Sequence, residues 1–236
     1  MLLKINNLDV TLGGLHILHN VSLHVNEGEL VVVVGANGAG KSTLLRTVSG
    51  MNGCMSGTVD FMGQEIQNKK AYHIASKGLC MVPEGRQLFA ELSARDNLLI
   101  GAYHYRSDKK RVMDNLEKVY NLFPVLKKNE SRIASTFSGG EQQMISIGRG
   151  LMSEPKLMMI DELSLGLAPL VIQNLFDIIK QLNKTGISIL LIEQNARQAL
   201  QIADRAYVLE NGHIVITGTG EELLNDESVK EAYLGL

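Results

Sequence analysis

Cysteine occurs only at Cys54 and Cys80 in 236 residues, too few for the disulfide framework of a small secreted scaffold. Both are expected to be reduced thiols of a cytosolic protein, packed as small hydrophobes. Long apolar runs are missing as well. No stretch approaches the ~20 apolar residues that cross a bilayer, and Met1–Asn6 lacks the apolar region of a secretory leader. Docking onto a membrane partner stays open to such a chain. An excess of positive charge is also absent: 23 Lys and Arg face 25 Asp and Glu, for a net charge of −2. No broad basic field is therefore available to hold nucleic acid. No internal repeat, low-complexity tract or flexible linker interrupts the chain, whose length suits one large domain or a core with one subdomain.

What the chain does contain is Gly35-Ala36-Asn37-Gly38-Ala39-Gly40-Lys41-Ser42-Thr43, entered directly from the apolar run Leu30–Val34. This is the phosphate-binding pattern G-x-x-x-x-G-K-[ST]. A polyphosphate needs several converging N–H donors, and glycines let the backbone curl around it without Cβ clashes. The loop then opens a helix whose N-terminal dipole favours an anion. In that setting Lys41 reaches the β- and γ-phosphates and the Ser42 hydroxyl ligates Mg²⁺. The expected ligand is a nucleoside triphosphate.

The remaining pattern alternates strand and helix. Residues from Leu2 to about Val25 read as strands, with turns at Gly13-Gly14 and Asn26-Glu27-Gly28. Leu30–Val34 reads as a strand buried on both faces of a parallel sheet, followed by a helix from Lys41 to near Gly50. Thr58–Phe61 and Leu79–Val82 are short strands. Asp96–Gly101, Asp108–Leu122 and Gly139–Met152 read as helices, the second presenting Val112, Leu116, Val119, Tyr120 and Phe123 on one face. Leu157–Ile160 and Ile187–Ile192 return to strand around a helix at Pro169–Leu182. Ala196–Ala203 is expected helical, with strands at Tyr207–Leu209 and Ile214–Ile216. Thr219 with Glu222, and Ser228 with Glu231, each fit a capping box that opens a short terminal helix. The class is α/β with an all-helical insertion.

Two further elements carry chemistry. Leu157–Ile160 runs into Asp161-Glu162, which places two carboxylates at the carboxyl edge of a sheet, where ligands sit in open α/β folds. Asp161 suits Mg²⁺, and Glu162 suits orienting and deprotonating an attacking water. Phe137-Ser138-Gly139-Gly140-Glu141-Gln142-Gln143 is the other: Ser138 can cap the helix that follows, and the exposed N–H groups of Gly139 and Gly140 offer a second anion site. Among the six histidines no metal-ligand spacing occurs.

With these three elements in this order, the chain resembles the ATP-binding-cassette (ABC) ATPases. The resemblance implies a P-loop NTPase core with a parallel sheet, an N-terminal antiparallel β-subdomain and an inserted helical subdomain. The core would span 1–84 and 156–236, the helical part about 85–155. It implies ATP and Mg²⁺ as ligands and two cassettes facing each other head to tail. Gly35 to Thr43 would hold the chain's own ATP. Ser42, Glu84 and Asp161 would hold Mg²⁺, and Lys41, Glu162 and Gln194 would act on the γ-phosphate. Ser138, Gly139, Gly140 and Glu141 would contact the partner's ATP.

Local variants narrow the resemblance. Val82–Arg86, Ser138–Ile147, Ser164–Pro169, Ile192–Arg197 and the ending Glu231–Gly235 are similar to the LivF-like type found in bacterial branched-chain amino acid importers. That type implies a homologous ATPase partner, in a heterodimer or homodimer, and an integral membrane permease. It also implies an extracytoplasmic binding protein, no nucleic acid, and a peripheral place on the cytoplasmic face of the bacterial inner membrane. The other readings weighed are a soluble ABC ATPase acting on DNA or ribosomes, an importer ATPase for a small polar solute such as urea, and a nucleotide-binding module without turnover.

Departures from the wider family bear on mechanism. Glu84 stands where most members have Gln, and Gln194 where most have His. An amide cannot take up a proton, so Gln194 can only hydrogen-bond the γ-phosphate. Leu163 replaces the Pro that usually follows the catalytic Glu, and Ala168 replaces a common acid. Thr11 and Leu12 stand where an aromatic often stacks on adenine. Leu12 would offer only apolar contact, which implies weaker selectivity for adenine.

Overall fold

A computed structural model describes residues 1–234; Gly235, the last residue of the terminal motif, and Leu236 lie outside them. Strands β1 (Leu3–Leu12) and β2 (Leu15–Val25) form a hairpin through Gly13 and Gly14, both left-handed. Burial in β1 alternates as Leu3, Ile5, then Leu8, Val10. The one-residue slip falls at Asn7, whose φ of 48° is left-handed, so the bulge returns the apolar set to the inner face.

Next come β3 (Leu30–Val34), α1 (Lys41–Val48), β4 (Ser56–Phe61), β5 (Gln64–Glu65), α2 (Ala71–Ala75) and β6 (Leu79–Val82). Helices α3 (Ala94–Gly101), α4 (Lys109–Leu122), α5 (Pro124–Lys128) and α6 (Gly139–Leu151) follow without contributing a strand to either sheet. The chain ends with β7 (Leu157–Asp161), α7 (Pro169–Lys184), β8 (Ser188–Glu193), α8 (Ala196–Leu200), β9 (Arg205–Glu210), β10 (His213–Gly218), α9 (Gly220–Asn225) and α10 (Glu227–Val229).

Two sheets result. The first has order β2-β1-β4-β5 and is antiparallel throughout. The second has order β10-β9-β3-β8-β7-β6, parallel except for β10. Successive side chains of a strand point to opposite faces, and β3 divides its residues accordingly. Leu30, Val32 and Val34 join a core with α3, α4, α6 and α7, while Val31 and Val33 join a core with the antiparallel sheet and α1. Both faces are covered, which is why β3, β7 and β8 are buried along their whole length.

Some local signals resolve differently. Thr219 and Glu222 form the expected capping box of α9. The box expected at Ser228 is not formed. Asp226 caps α10 instead, accepting the Val229 N–H, and the Ser228 hydroxyl donates to Asp226 at 2.5 Å. The helix therefore starts earlier than the box at Ser228 requires, and Ser228 lies inside its first turn and not at its cap. The short helices α2 and α5 and strand β5 lie in segments whose sequence carries no clear periodicity.

Helix α6 packs so closely that Gly148 has no room for a side chain: a Cβ there would lie 2.7 Å from Leu98 Cδ2 and 2.9 Å from Val119 Cγ1. Gly148→Ala is therefore expected to destabilise the fold by about 1–3 kcal/mol through overpacking. A denaturant midpoint equal to that of the parent chain would refute the close packing of α6 on α3 and α4.

Candidate functional site

The loop leaving β3 is shaped by its glycines. A Cβ on Gly35 would collide with the Leu209 carbonyl oxygen. Gly38 and Gly40 adopt φ of 80° and 104°, and Gly40 sits at the N-terminus of α1 against Leu18. The Gly212 N–H donates to the Ala39 carbonyl at 3.0 Å, tying the loop to the β9–β10 turn. Above the loop lies a cleft of about 480 Å³. Asn37, Gly38, Gly40, Lys41, Ser42 and Thr43 line it, joined by Ile17, Glu84, Glu162 and Leu165. Gly35, Ala36 and Ala39 belong to the same loop but do not line the cleft.

Lys41 is the buried cation of this cleft, with 4% of its surface exposed. Its ammonium donates to the carbonyls of Gly35 at 2.9 Å and Ala36 at 3.0 Å, and lies 3.6 Å from Glu162 Oε1. Ser42 donates its hydroxyl to Asp161 Oδ1 at 3.0 Å. Asp161 is fully buried, and its Oδ2 is without a hydrogen-bond partner. Burial pushes the Asp161 carboxyl above its ordinary range. The Ser42 hydroxyl opposes this, while the neighbouring charges of Glu162 and Glu84 add to it.

That orphaned oxygen is the test of whether these residues suit Mg²⁺. A buried carboxylate oxygen with an unused lone pair, next to a hydroxyl and close to a second acid, is the hard oxygen donor set of this ion. Among the described residues no group of three or more His, Cys, Asp or Glu forms an all-protein metal cage. This agrees with a cation completed by phosphate oxygens and water, as Mg²⁺ usually is. The residues fit.

Glu162 adopts φ 48°, and its N–H donates to the Ile192 carbonyl at 3.0 Å. Leu163 behind it is buried in the core. Glu84 precedes three consecutive left-handed residues, Gly85, Arg86 and Gln87, with φ of 71°, 65° and 41°. The Arg86 carbonyl is held from α6 by the Ser146 hydroxyl at 2.9 Å and by Arg149 Nη2 at 3.2 Å.

Other residues singled out from the sequence stand apart from this cleft. Leu12 is at the tip of the β1–β2 hairpin, paired with Leu15 and exposed; Ile17, further along β2, lines the cleft instead. Gln194 is exposed just beyond β8 and outside the cleft lining. Ser138 caps α6 in a capping box: Glu141 N–H donates to its hydroxyl oxygen at 3.4 Å, and its own N–H donates to Glu141 Oε2 at 2.9 Å. Gly140 lies against Val171, and Gly139 is flanked by Arg86 and Leu167. None of Ser138 to Glu141 lines the cleft. One group escaped the sequence reading, Glu193, a fully buried carboxylate ending β8. Its signal was available: an acid as the last residue of an otherwise apolar strand.

Burial raises the Asp161 carboxyl pKa. The charged form is penalised in the folded chain and solvated in the unfolded one. The penalty is therefore present at neutral pH and relieved as acid protonates the group. Asp161→Asn is expected to raise the thermal midpoint at neutral pH, with the gain shrinking as pH falls through the raised folded-state pKa and gone below about pH 4, the ordinary carboxylate range. A thermal melt showing no gain at neutral pH would contradict the buried charge.

Residues 18–164, more than half of the chain, match the family described as ABC transporter. The high-affinity branched-chain amino acid transport ATP-binding protein BraG of Pseudomonas aeruginosa is 47% identical over 234 residues, covering 99% of this chain and 100% of its own. The probable branched-chain amino acid transport ATP-binding protein LivF of Archaeoglobus fulgidus is 36% identical over 94% of each. Among solved structures, a nucleotide-free ATP-binding cassette from an ABC transporter superposes with a TM-score of 0.87 at 28% identity, covering 100% of this chain and 99% of that one. A cassette in its ADP conformation superposes with 0.84 at 31% identity over 100% and 99%. The fold is that of these cassettes, and the chain belongs to the ABC transporter family of ATP-binding proteins.

Proposed function

We propose that this chain is the ATP-hydrolysing subunit of an importer for branched-chain amino acids. The observation that carries the reading is the meeting of Lys41, Glu162 and the orphaned Asp161 oxygen over one glycine-rich loop. Identity to relatives named for that transport supplies the substrate class.

The chain's own groups divide the work. The N–H groups at the start of α1 hold the phosphates. The Lys41 ammonium, buried on the loop carbonyls, turns to the β- and γ-phosphates and offsets their charge. Ser42, Asp161 and Glu84 hold Mg²⁺, which when bound neutralises charge developing on the phosphate oxygens. Glu162 orients the attacking water and takes its proton. Gln194 donates an amide hydrogen bond to the γ-phosphate without accepting a proton. Ile17, with Leu12 beyond it, gives the base apolar contact without an aromatic stack.

A second, homologous cassette completes the site in this reading. Ser138, Gly139, Gly140 and Glu141 at the start of α6 meet the ATP held by that partner, and closure on ATP supplies the stroke. Residues 1–84 and 156–236 form the nucleotide-binding core, and about 85–155 the helical subdomain. A groove of about 640 Å³ between the two, lined by Cys80, Pro83, Phe89, Ile100 and Arg149, receives a cytoplasmic loop of the permease. Phe89, half exposed, offers the apolar anchor for that loop. No described helix is long and apolar enough to cross a membrane. In this reading the permease holds the chain peripherally on the cytoplasmic face of the inner membrane. An extracytoplasmic binding protein delivers the amino acid to the permease.

Two outcomes are expected. Glu162→Gln should keep ATP binding while losing at least ~10²-fold in turnover, the scale of a removed general base. Phosphate release at the parent rate would take Glu162 out of that role. Cells deleted for this chain should lose uptake of radiolabelled leucine, regained with the parent sequence and not with Lys41→Ala. Leucine uptake unchanged by the deletion would overturn the substrate assignment.

A further inference from the structure

The carboxylate that ends β8 has no part in the steps above. Glu193 is fully buried, in a strand whose other residues are apolar apart from Ser188 at its start. A buried carboxylate is tolerated where its oxygens are partnered. Both are: Glu193 Oε1 accepts the Ser164 N–H at 2.9 Å, and Oε2 accepts the Ser164 hydroxyl at 2.7 Å. Burial pushes the Glu193 carboxyl up, and the bonds from Ser164 and from the Asn195 backbone pull against it.

Ser164 stands two residues after Glu162. The Glu162 backbone is left-handed, a conformation that persists for a bulky residue only where its surroundings hold it. The surroundings are three hydrogen bonds to the end of β8. The Glu162 N–H donates to the Ile192 carbonyl, and the Ser164 N–H and hydroxyl donate to Glu193. Two of the three depend on one carboxylate. Between them Leu163 is buried. It lacks the fixed φ of a proline at that place, so the clamp supplies a restraint that the residue type does not.

We infer that Glu193 is a positioning residue, whose grip on Ser164 fixes Glu162 in the orientation that brings its carboxylate to Lys41 and to the attacking water. The inference rests on the ATPase reading. Gln194 follows Glu193 directly, so the same anchor also holds the start of the segment that carries Gln194. A purely apolar strand end would leave the Ser164 N–H and hydroxyl without acceptors and Glu162 free to relax.

The test uses the chain in its purified membrane complex, with steady-state MgATP hydrolysis measured for Glu193→Ala, Glu193→Gln, Ser164→Ala and the double alanine variant. Glu193→Ala is expected to lose about 10²-fold in kcat, as for a displaced catalytic group, with KM changed by less than about threefold. Glu193→Gln keeps an acceptor for the Ser164 N–H and should regain most of that loss. The double alanine variant should be no worse than Glu193→Ala, because both changes remove one contact. A kcat for Glu193→Ala within about threefold of the parent, a loss that tracks ATP affinity, or losses that multiply in the double variant would each overturn the inference. Should Glu193→Ala fail to fold, Ser164→Ala carries the test: a lower kcat at constant KM supports the clamp, and an unchanged kcat overturns it. A parent complex without MgATP turnover overturns the ATPase reading and the inference with it. An active parent with indifferent Glu193 and Ser164 variants overturns the inference alone.

Discussion

The contact between the Ser42 hydroxyl and Asp161 depends on strands that are not neighbours. The glycine-rich loop leaves β3 and the acids leave β7, with β8 between them in the sheet. All three are parallel, so their carboxyl ends open on the same edge, and connections through α1 and α7 lie on the faces. Ser42 reaches Asp161 across 119 residues of sequence because that order is kept. Were β8 to leave the middle of the sheet, the loop and the acids would lose their common edge.

Burial gives that edge its chemical character. Asp161 and Glu193 are both fully buried at strand ends, and in each case burial raises the carboxyl pKa. They differ in what their oxygens do. Both Glu193 oxygens are occupied by Ser164, which makes it a structural tether, while one Asp161 oxygen is unspent. An unspent buried acceptor weakens the fold and prepares a cation site. The site therefore trades stability for readiness to bind.

The sequence carried the sheet core plainly: Leu30–Val34, Leu157–Ile160 and Ile187–Ile192 read as strands of a parallel sheet because each is apolar throughout, apart from Ser188. The glycine-rich loop and Asp161-Glu162 were legible because their chemistry dictates residue type at fixed spacing. Residues whose role comes from packing were not. Gly140 reads from sequence as an exposed amide donor, but its lack of a side chain also serves Val171. Ile17 reaches the cleft through a hairpin whose bulges set its register. The capping of α10 by Asp226 rather than the terminal box at Ser228 turned on where the helix starts, which a pattern match does not weigh. Glu193 was visible as an acid ending an apolar strand, but its partner Ser164, 29 residues away, was not.

The run of left-handed residues after β6 has a mechanical meaning. Arg86 and Gln87 each hold a backbone conformation costing about 1–3 kcal/mol for a residue with a side chain, and α6 grips the carbonyl between them through Ser146 and Arg149. Rotating α6 away would let that kinked stretch spring toward ordinary geometry, dragging Glu84 with it. Those two bonds join α6 to the stretch that begins at Glu84 by a route that does not run through the sheet.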